Sequence, residues 1–438
     1  MSRSPNAMGL GLRALNRFAA SPVIDRLGLR RASEKLVFEA SRGGFIAVGA
    51  AARAFGATRQ LVQPARLGSR PKGELFDLNP TEEQQMLREA AAQFGMEQLR
   101  PAATAADAAC AAPPELLKGA MELGLASLAV PEDLGGAGAE RSAITQVLIT
   151  EALAQGDLGL AVACLAPMAV SQALVLWGSA EQQARYLPAF VGDSVPAAAL
   201  AIQEPRPLFD PFLLETRAYR AENGYVLTGL KSLVPRAAEA ELFIVAAQLE
   251  GRGPALFLVE AAQAGLSVQA EPAMGLRAAA TQRLRLDNVT VPASALLDEG
   301  RGETYAECIR LSRIAWSALA TGCAQAVLDY LVPYVNERVA FGEPISHRQA
   351  VAFAVADISI ELEGLRLLTW RAANRAERGE DSAREAALAR RFAADKAMRI
   401  GSDGVQLLGG HGFVKEHPVE RWYRDLRACA FMEGVVLV

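Results

Sequence analysis

The period of the hydrophobic pattern changes twice along this 438-residue chain, and this change constrains the fold more than any other feature. From about residue 79 to 201 apolar residues recur at helical spacing. From about residue 202 the period shortens to two, and from about residue 304 to 404 it returns to that of long helices. The pattern predicts a mostly α protein with a central β domain. The predicted segments are a basic extension, an N-terminal helical domain, a middle β domain and a C-terminal helical bundle, over residues 1–75, 76–201, 202–303 and 304–438.

Local signals predict where individual elements begin and turn. Asn79, followed by Pro80 and then Glu82, has the composition of a helix N-terminus with a capping box. Asn223-Gly224 lies between two alternating runs, which predicts a β-hairpin with a type I′ turn. Further short strand-like runs follow at regular spacing. They favour a small antiparallel sheet or barrel.

One long apolar run has two interpretations. Residues 158–180 contain no charged side chain and are long enough to cross a bilayer. However, Pro167, Ser171 and Gln172 interrupt the run, and a polar segment begins directly at Glu181. A buried core helix of a large helical domain is therefore the favoured interpretation.

The charge of the chain is concentrated at its N-terminus. Residues 1–73 carry 13 Lys or Arg and three acidic residues, a net charge of +10 in a chain whose total is −4. Apolar residues such as Leu12, Leu15 and Phe18 recur there at helical spacing, which indicates an amphipathic helix on an anionic membrane surface. Two alternatives stay open: a solvated, poorly ordered extension, and an organelle transit peptide.

The overall composition excludes several classes of protein. Hydrophobic residues make up 51% and charged residues 21%, so the chain can bury a large core. A net charge of −4 argues against a protein that binds nucleic acid along its whole surface. Five scattered cysteines without a C-x-x-C pair predict a reducing compartment and no disulfide framework, and three histidines leave little room for a metal centre. These features favour a soluble cytosolic or membrane-peripheral enzyme.

Candidate chemistry is concentrated in the last hundred residues. Glu433 stands among Phe431, Met432 and a run of valines and leucine, and an apolar environment destabilises an ionised carboxylate. Glu433 is therefore a candidate general base, unless it is solvated in a frayed terminus. The pair Gly409-Gly410 follows a predicted helix. It could end that helix or let a ligand approach the backbone, and composition favours the helix end.

Three motifs, in order and spacing, resemble the acyl-CoA dehydrogenase family over roughly Leu78 to Gly434. A Pro-Glu-x-x-Gly-Gly turn is present at residues 131–136, and a second stereotyped segment runs from Gly178 to Pro188. The run Arg338-Val339-Ala340-Phe341-Gly342, followed by Ile345 and Gln349, is similar to the family's Arg-x-x-Phe-Gly…Gln signature. The resemblance implies a helical domain, a small antiparallel β-barrel-like domain and a C-terminal four-helix bundle, assembled as a homodimer or homotetramer.

The resemblance also implies a cofactor, FAD, and a set of residues that bind it. Arg338, Phe341 and Gln349 match the signature that contacts the phosphates and adenine of FAD across a subunit interface. Gln406 and the pair Gly409-Gly410 match the segment that passes the adenosine half of FAD from the partner subunit. An arginine fork suits the geometry of a pyrophosphate.

For catalysis, the resemblance implies that Glu433 takes the α-proton of an acyl-CoA while the β-hydrogen leaves as hydride to the flavin. Arg313 matches a family arginine that supports this glutamate. In some relatives the base instead lies on the first long helix of the bundle, but the corresponding positions here are Ser312 and Arg313. Glu433 is then the base that the resemblance offers.

The chain departs from the family where the β domain would meet the flavin. The family has Thr-Glu-Pro-Gly-x-Gly-Ser-Asp, whereas residues 203–210 read Gln-Glu-Pro-Arg-Pro-Leu-Phe-Asp. The family stretch Lys-x-Trp-Ile-Thr reads Lys-Ser-Leu-Val-Pro over residues 231–235, so Leu233 replaces a tryptophan and Pro235 replaces a threonine donor. The adenosine side of the implied site is kept and the isoalloxazine side is altered.

The sequence therefore supports two classes of function. The favoured one is an FAD-dependent acyl-CoA dehydrogenase of fatty-acid or related acyl-CoA oxidation, which forms a trans-2-enoyl-CoA and passes electrons to an electron-transfer flavoprotein. The alternative is a catalytically silent acyl-CoA-binding or scaffold protein, and an acyl-CoA or nitroalkane-type oxidase is a weaker third option. The expected location is the cytoplasm, with peripheral contact at the inner membrane face through residues 1–73, or the mitochondrial matrix if the source is eukaryotic.

Overall fold

The computed structural model describes residues 79–128, 130–136, 141–192 and 194–438. The basic extension, with its predicted amphipathic helix, lies outside the described residues. The described chain has helices, then a sheet, then helices, which confirms the predicted fold class.

The described part of the first helical segment forms six α-helices. A π-helix, Gly95–Leu99, continues the first helix into the second. The helices are α1 Glu82–Phe94, α2 Arg100–Ala109, α3 Pro114–Glu122, α4 Ala143–Gly156, α5 Leu158–Trp177 and α6 Ala180–Tyr186. The predicted cap of the first helix was wrong by two residues. Thr81, rather than Asn79, caps α1, and it forms a capping box with Gln84 (Gln84 N–H donates to Thr81 Oγ1 at 3.2 Å).

The apolar run after residue 158 forms a buried helix, as predicted. By length and composition α5 could cross a membrane, but 94% of its apolar window is buried inside the protein. Asp157 caps the helix through its side chain, which accepts a hydrogen bond from Leu160 N–H at 3.0 Å. Its first half packs in one hydrophobic core and its second half in another.

The middle segment forms a seven-stranded sheet with the strand order β1-β4-β2-β3-β7-β6, and β5 also pairs with β4. The strands are β1 Ala198–Ala201, β2 Arg217–Ala221, β3 Gly224–Val234, β4 Leu242–Leu249, β5 Gly253–Glu260, β6 Leu266–Ala270 and β7 Gln282–Pro292. The sequence pattern missed β1, whose four residues are all buried and therefore do not alternate. The β1–β4 and β2–β4 pairs are parallel, so the sheet is not purely antiparallel.

The predicted hairpin is present, but its turn differs from the prediction. Strands β2 and β3 pair in antiparallel register up to Ala221 and Gly224, so the two loop residues are Glu222 and Asn223. Neither of them has a positive φ, whereas a type I′ turn requires it at both. Gly224 instead takes the unusual backbone angle (φ 150°), where a Cβ would meet Val291 O at 2.0 Å.

Four helices form the C-terminal segment, α7 Gly302–Glu337, α8 Gln349–Glu377, α9 Ala383–Leu408 and α10 Val419–Ala428. A short hairpin, β8 Val339–Ala340 and β9 Glu343–Pro344, connects α7 to α8. Helix α7 joins the two cores of the molecule: its residues up to Leu311 pack in the core around the sheet, and its residues from Ile314 pack in the core between the helices. Arg313 therefore lies where the two cores meet.

Candidate active site

Glu433 lies in a short segment after α10, and hydrogen bonds from two other parts of the fold hold this segment. Gly434 O accepts hydrogen bonds from Ser312 Oγ at 2.9 Å and Trp316 Nε1 at 2.8 Å, both on α7. Glu433 N–H donates to Gln203 Oε1 at 3.1 Å. These bonds fix the backbone on both sides of the carboxylate, and Glu433 is only 5% exposed, so the frayed-terminus alternative is wrong.

Gly434 is required by this arrangement. Its φ is +78°, and a Cβ at this position would approach Ile202 Cβ to 2.8 Å. The positive φ and the short distance to Ile202 both exclude a residue with a side chain at position 434. The glycine lets the segment with Glu433 lie directly against the end of β1.

Two arginines, rather than apolar side chains alone, surround the Glu433 carboxylate. Arg313 Nε lies 3.1 Å from both carboxylate oxygens, and Arg313 Nη2 lies 2.9 Å from Oε1. Arg390 Nη2 lies 3.7 Å from the same oxygen. The apolar sequence around Glu433 does not indicate these charged partners, because they come from distant parts of the chain.

Sequence reasoning missed Arg390. Its guanidinium donates to Cys429 O, and burial lowers its pKa, while the charge of Glu433 acts in the opposite direction. Arg390 lies on α9 between Ala386 and Ala393, both of which are buried. An arginine on an otherwise alanine-lined buried helix face is a signal that could have identified it, because such a charge requires a partner.

An open cleft of about 660 Å³ lies beside Glu433. Its volume is within the range of roughly 300–1,000 Å³ that is usual for small-molecule sites. It is lined by Gln203, Arg206, Pro207, Leu208, Phe209, Arg313, Ala387, Arg390, Arg391, Ala394, Ala430, Phe431 and Glu433. The altered loop of residues 203–210 therefore faces the predicted base.

A buried ion pair between Lys231 and Glu204 connects that loop to β3. Lys231 Nζ lies 2.9 Å from Glu204 Oε1 and donates to Ile202 O at 3.1 Å, and both charged side chains are at most 2% exposed. Burial lowers the pKa of Lys231 to about 8, against the opposing effect of Glu204. Burial acts to raise the pKa of Glu204, but Lys231 and the N–H groups of Glu215 and Thr216 outweigh it, so this pKa lies below its usual value.

The predicted residues of the adenosine side lie together at the other end of the bundle. Arg338 and Phe341 are exposed in the connection from α7 to α8, and Gln349 is exposed at the first position of α8. The other three, Gln406, Gly409 and Gly410, are exposed at the end of α9. Tyr334, in the last turn of α7, links the two groups: its hydroxyl donates to Leu408 O at 3.3 Å and forms a hydrogen bond with His411 Nδ1 at 2.8 Å.

The structure thus brings the predicted site residues together as two separate groups. Arg313 and Arg338 are 25 residues apart along α7, which corresponds to about 37 Å at 1.5 Å per residue. Glu433 and Arg313 form the first group, and the six adenosine-side residues form the second. One ligand molecule therefore does not touch both groups within one chain unless it spans most of this helix.

The second group has the features that a dinucleotide phosphate requires. Among the described residues, apart from its chain neighbours, no atom lies within 4 Å of a Cβ built on Gly409 or Gly410, so a ligand can approach this backbone. Gly409 also ends α9, so the glycine pair is both a helix end and an open surface. The exposed guanidinium of Arg338 can form paired hydrogen bonds with phosphate oxygens. These residues fit the adenosine diphosphate part of FAD.

On the β-domain side fewer donors are free. Leu233 N–H donates to Glu271 Oε2 at 2.7 Å, and Ser232 Oγ donates to Glu271 Oε1 at 2.8 Å. Pro235 has no N–H. Leu208 and Leu233 both have positive φ (52° and 54°), a backbone conformation that favours glycine. The residues on this side thus fit a flavin less completely than those on the adenosine side.

Comparison with known proteins places the whole described chain in one family. It matches the family models described as acyl-CoA dehydrogenase N-terminal, middle and C-terminal domains over residues 81–193, 199–289 and 300–436. The mitochondrial short/branched chain specific acyl-CoA dehydrogenase of Rattus norvegicus is 33% identical over 362 residues, which cover 81% of this chain and 83% of the relative.

Solved structures agree with this assignment. Butyryl-CoA dehydrogenase from Megasphaera elsdenii has a TM-score of 0.75 at 30% identity, with 82% of this chain and 96% of that chain covered. A structure of PigA with FAD and proline has a TM-score of 0.75 at 26% identity, over 82% of this chain and 96% of that chain. These similarities agree with the helix–sheet–helix fold and with the pairing of Glu433 and Arg313. The chain therefore belongs to the acyl-CoA dehydrogenase family of FAD-dependent oxidoreductases acting on CH–CH bonds.

Proposed function

We propose that this protein catalyses the FAD-dependent α,β-dehydrogenation of an acyl-CoA thioester to the trans-2-enoyl-CoA, in fatty-acid or related acyl-CoA oxidation. The observation that carries the proposal is the buried Glu433 carboxylate, which is held by Arg313 and faces an open cleft. A carboxylate at a fixed position beside a cleft of this size is suited to remove a proton from a bound ligand.

In this mechanism Glu433 accepts the α-proton of the thioester. Arg313 fixes the orientation of the carboxylate through its two nitrogen contacts, and Gln203 fixes the backbone through Glu433 N–H. When bound, FAD would supply the acceptor for the β-hydrogen, which leaves as hydride. Ser312 and Trp316 hold Gly434 O and keep the carboxylate in place through the reaction.

The site is completed, in this proposal, by a second copy of the chain. The separation of about 37 Å along α7 between Arg313, which contacts Glu433, and Arg338 supports a cofactor whose adenosine half meets the partner subunit. Three apolar side chains at a spacing of seven on α8, Phe353, Ile360 and Leu367, are 63%, 69% and 45% exposed. Such a stripe on one helix face favours a homodimer or homotetramer. The proposed electron acceptor is an electron-transfer flavoprotein.

The alternative is a catalytically silent acyl-CoA-binding or scaffold protein. The engaged Leu233 N–H and the proline at 235 support this alternative, because a flavin would find fewer donors there. A visible absorption spectrum of the purified protein, before and after addition of acyl-CoAs, separates the two. A flavin spectrum that bleaches with one class of acyl-CoA supports the dehydrogenase. A colourless protein that does not bind added FAD would refute the dehydrogenase function.

A further inference from the structure

The cleft beside Glu433 is strongly basic. Four arginines line it, Arg206, Arg313, Arg390 and Arg391, whereas Glu433 is the one acidic residue among its lining residues in the described chain. The side chains that line the cleft therefore carry a net charge of +3. The Coulomb energy between charges rises as solvent is excluded, so such a cleft attracts an anion more strongly than exposed arginines do.

Two of these arginines are not engaged with Glu433. Arg391 is exposed and forms no hydrogen bond or ion pair with the described residues. It follows Arg390 directly on α9, so the two neighbouring guanidiniums reach the same cleft from one helix. Arg391 is therefore free to bind a ligand.

Arg206 is held in place with part of its donor capacity unused. Its Nη2 donates to the carbonyls of Asp210, at 3.1 Å, and Leu213, and its guanidinium lies 5.4 Å from the centre of the Phe209 ring. Its Nε is buried and has no hydrogen-bond partner among the described residues. Its contact with Glu215 is 3.5 Å long, and that carboxylate is exposed. A long contact with an exposed carboxylate contributes little, so the Arg206 guanidinium can exchange it for an anionic oxygen of a ligand.

We propose that Arg206 and Arg391 form an anion-binding subsite beside Glu433, which holds carboxylate or phosphate oxygens of the acyl-CoA during the reaction. This inference rests on the proposed function and names a specificity element of the same site. The anionic oxygens belong either to a carboxylate at the far end of the acyl group or to the phosphates of CoA. Charge-assisted hydrogen bonds to a guanidinium suit both.

The test compares matched ligands on the holoenzyme by the rate of flavin bleaching per unit ligand concentration. Hexanoyl-CoA and adipoyl-CoA differ in whether the acyl chain ends in a methyl or a carboxylate. Hexanoyl-pantetheine lacks the CoA phosphates. We expect one of two rate ratios in wild type to be about tenfold or more, the size expected for one hydrogen bond to a charged group. The two ratios are adipoyl-CoA over hexanoyl-CoA, if the subsite binds the acyl carboxylate, and hexanoyl-CoA over hexanoyl-pantetheine, if it binds the CoA phosphates. Arg391→Gln and Arg206→Gln should each reduce that ratio severalfold.

Arg399→Gln provides a control of equal charge change. Arg399 also lies on α9, 3.5 Å from Asp403, and does not line the cleft. Arg399→Gln should leave the rate ratios of both ligand pairs as they are in wild type. If Arg206→Gln fails to fold because it releases the carbonyls of Asp210 and Leu213, Arg391→Gln still decides the question. Ratios in Arg391→Gln that equal those of Arg399→Gln, for both ligand pairs, would overturn the proposal.

The same variants separate this proposal from the proposed function. A wild-type protein that does not bleach with any acyl-CoA refutes the dehydrogenase, whatever the subsite does. Calorimetric titration with CoA and with adipate then tests the subsite alone. Binding that Arg391→Gln weakens severalfold relative to Arg399→Gln supports the subsite, and binding that is equal in the two variants, or absent in wild type, contradicts it.

Discussion

Replacement of Lys231 by methionine should destabilise the protein by about 3 kcal/mol. Removing one partner of a buried ion pair costs roughly 3–5 kcal/mol, because the other charge stays buried without compensation. The lower end is expected here, since Glu204 keeps hydrogen bonds from Glu215 N–H at 2.7 Å and Thr216 N–H at 2.9 Å. Methionine has a similar length and leaves little cavity.

Two further variants make this prediction specific. The double variant Glu204→Gln, Lys231→Met has no buried charge at this place and should recover most of the lost stability. Lys118→Met breaks an exposed pair with Glu122, 3.6 Å apart, and should cost less than about 0.5 kcal/mol. The free energy of unfolding, from denaturant titration followed by circular dichroism and tryptophan fluorescence, measures each variant. A cost for Lys231→Met within about 1 kcal/mol of that for Lys118→Met would refute the reasoning.

The pH dependence of the same measurement has a defined sign. Burial lowers the pKa of Lys231 from 10.5 to about 8, so between these values the unfolded chain binds a proton that the folded protein has released. Stability contributed by Lys231 therefore rises as the pH rises from about 8 towards 10.5. The difference in stability between wild type and Lys231→Met should widen over this window, and a difference that narrows would contradict the assignment.

Four other predictions test the site, the cofactor, a second buried charge and the extension. Glu433→Gln should abolish bleaching by acyl-CoA and leave FAD bound, because the geometry survives and the basicity does not; loss of the flavin spectrum would remove Glu433 from its role as base. Arg338→Ala should lower FAD retention on gel filtration, and mixed oligomers of Arg338→Ala and Glu433→Gln subunits should regain part of the activity; equal retention would contradict the phosphate contact. Burial and the neighbouring charge of Asp157 raise the pKa of Asp425, so the stability of wild type should fall as the pH rises above the usual carboxylate range of about 4, and Asp425→Asn should show a shallower fall in melting temperature; parallel curves would count against this assignment. Deletion of residues 1–73 should reduce pelleting with anionic liposomes without lowering turnover, and unchanged pelleting would exclude the membrane hypothesis.

The parts of the fold that depend on neighbouring residues were predictable from the sequence. The hairpin at Asn223 and the buried helix after residue 158 follow from local periodicity and turn composition. The errors have local causes too. Asn79 and Thr81 are both good caps, and the Thr-x-x-Gln pattern of residues 81–84, which forms the capping box, was the signal that favoured Thr81. Strand β1 is buried on both faces, so it lacks the alternation that identifies a half-buried strand.

The candidate site was predictable only in part, because its contacts are long-range. The resemblance to a family identified Glu433 and Arg313, which lie 120 residues apart in sequence. Nothing close to Glu433 in sequence indicates Arg390 or Gln203, and both come to it only through the packing of α9 and β1 against the last segment. The apolar residues next to Glu433 in sequence predict only that this segment is buried. They do not indicate the guanidiniums of Arg313 and Arg390, which contact the carboxylate from other helices.

The position of Glu433 in the chain also determines when the base is acquired during folding. Its contacts with Gln203 and Arg313 join residues that are 230 and 120 positions apart in sequence, so both are long-range contacts. Loops of this length add to contact order and form late. Synthesis runs from the N-terminus, so the cleft residues on the 203–210 loop, on α7 and on α9 are made before Glu433. On refolding, helix content should therefore return before the ability to remove a proton, and the arginines of the cleft are left without their carboxylate in the interval.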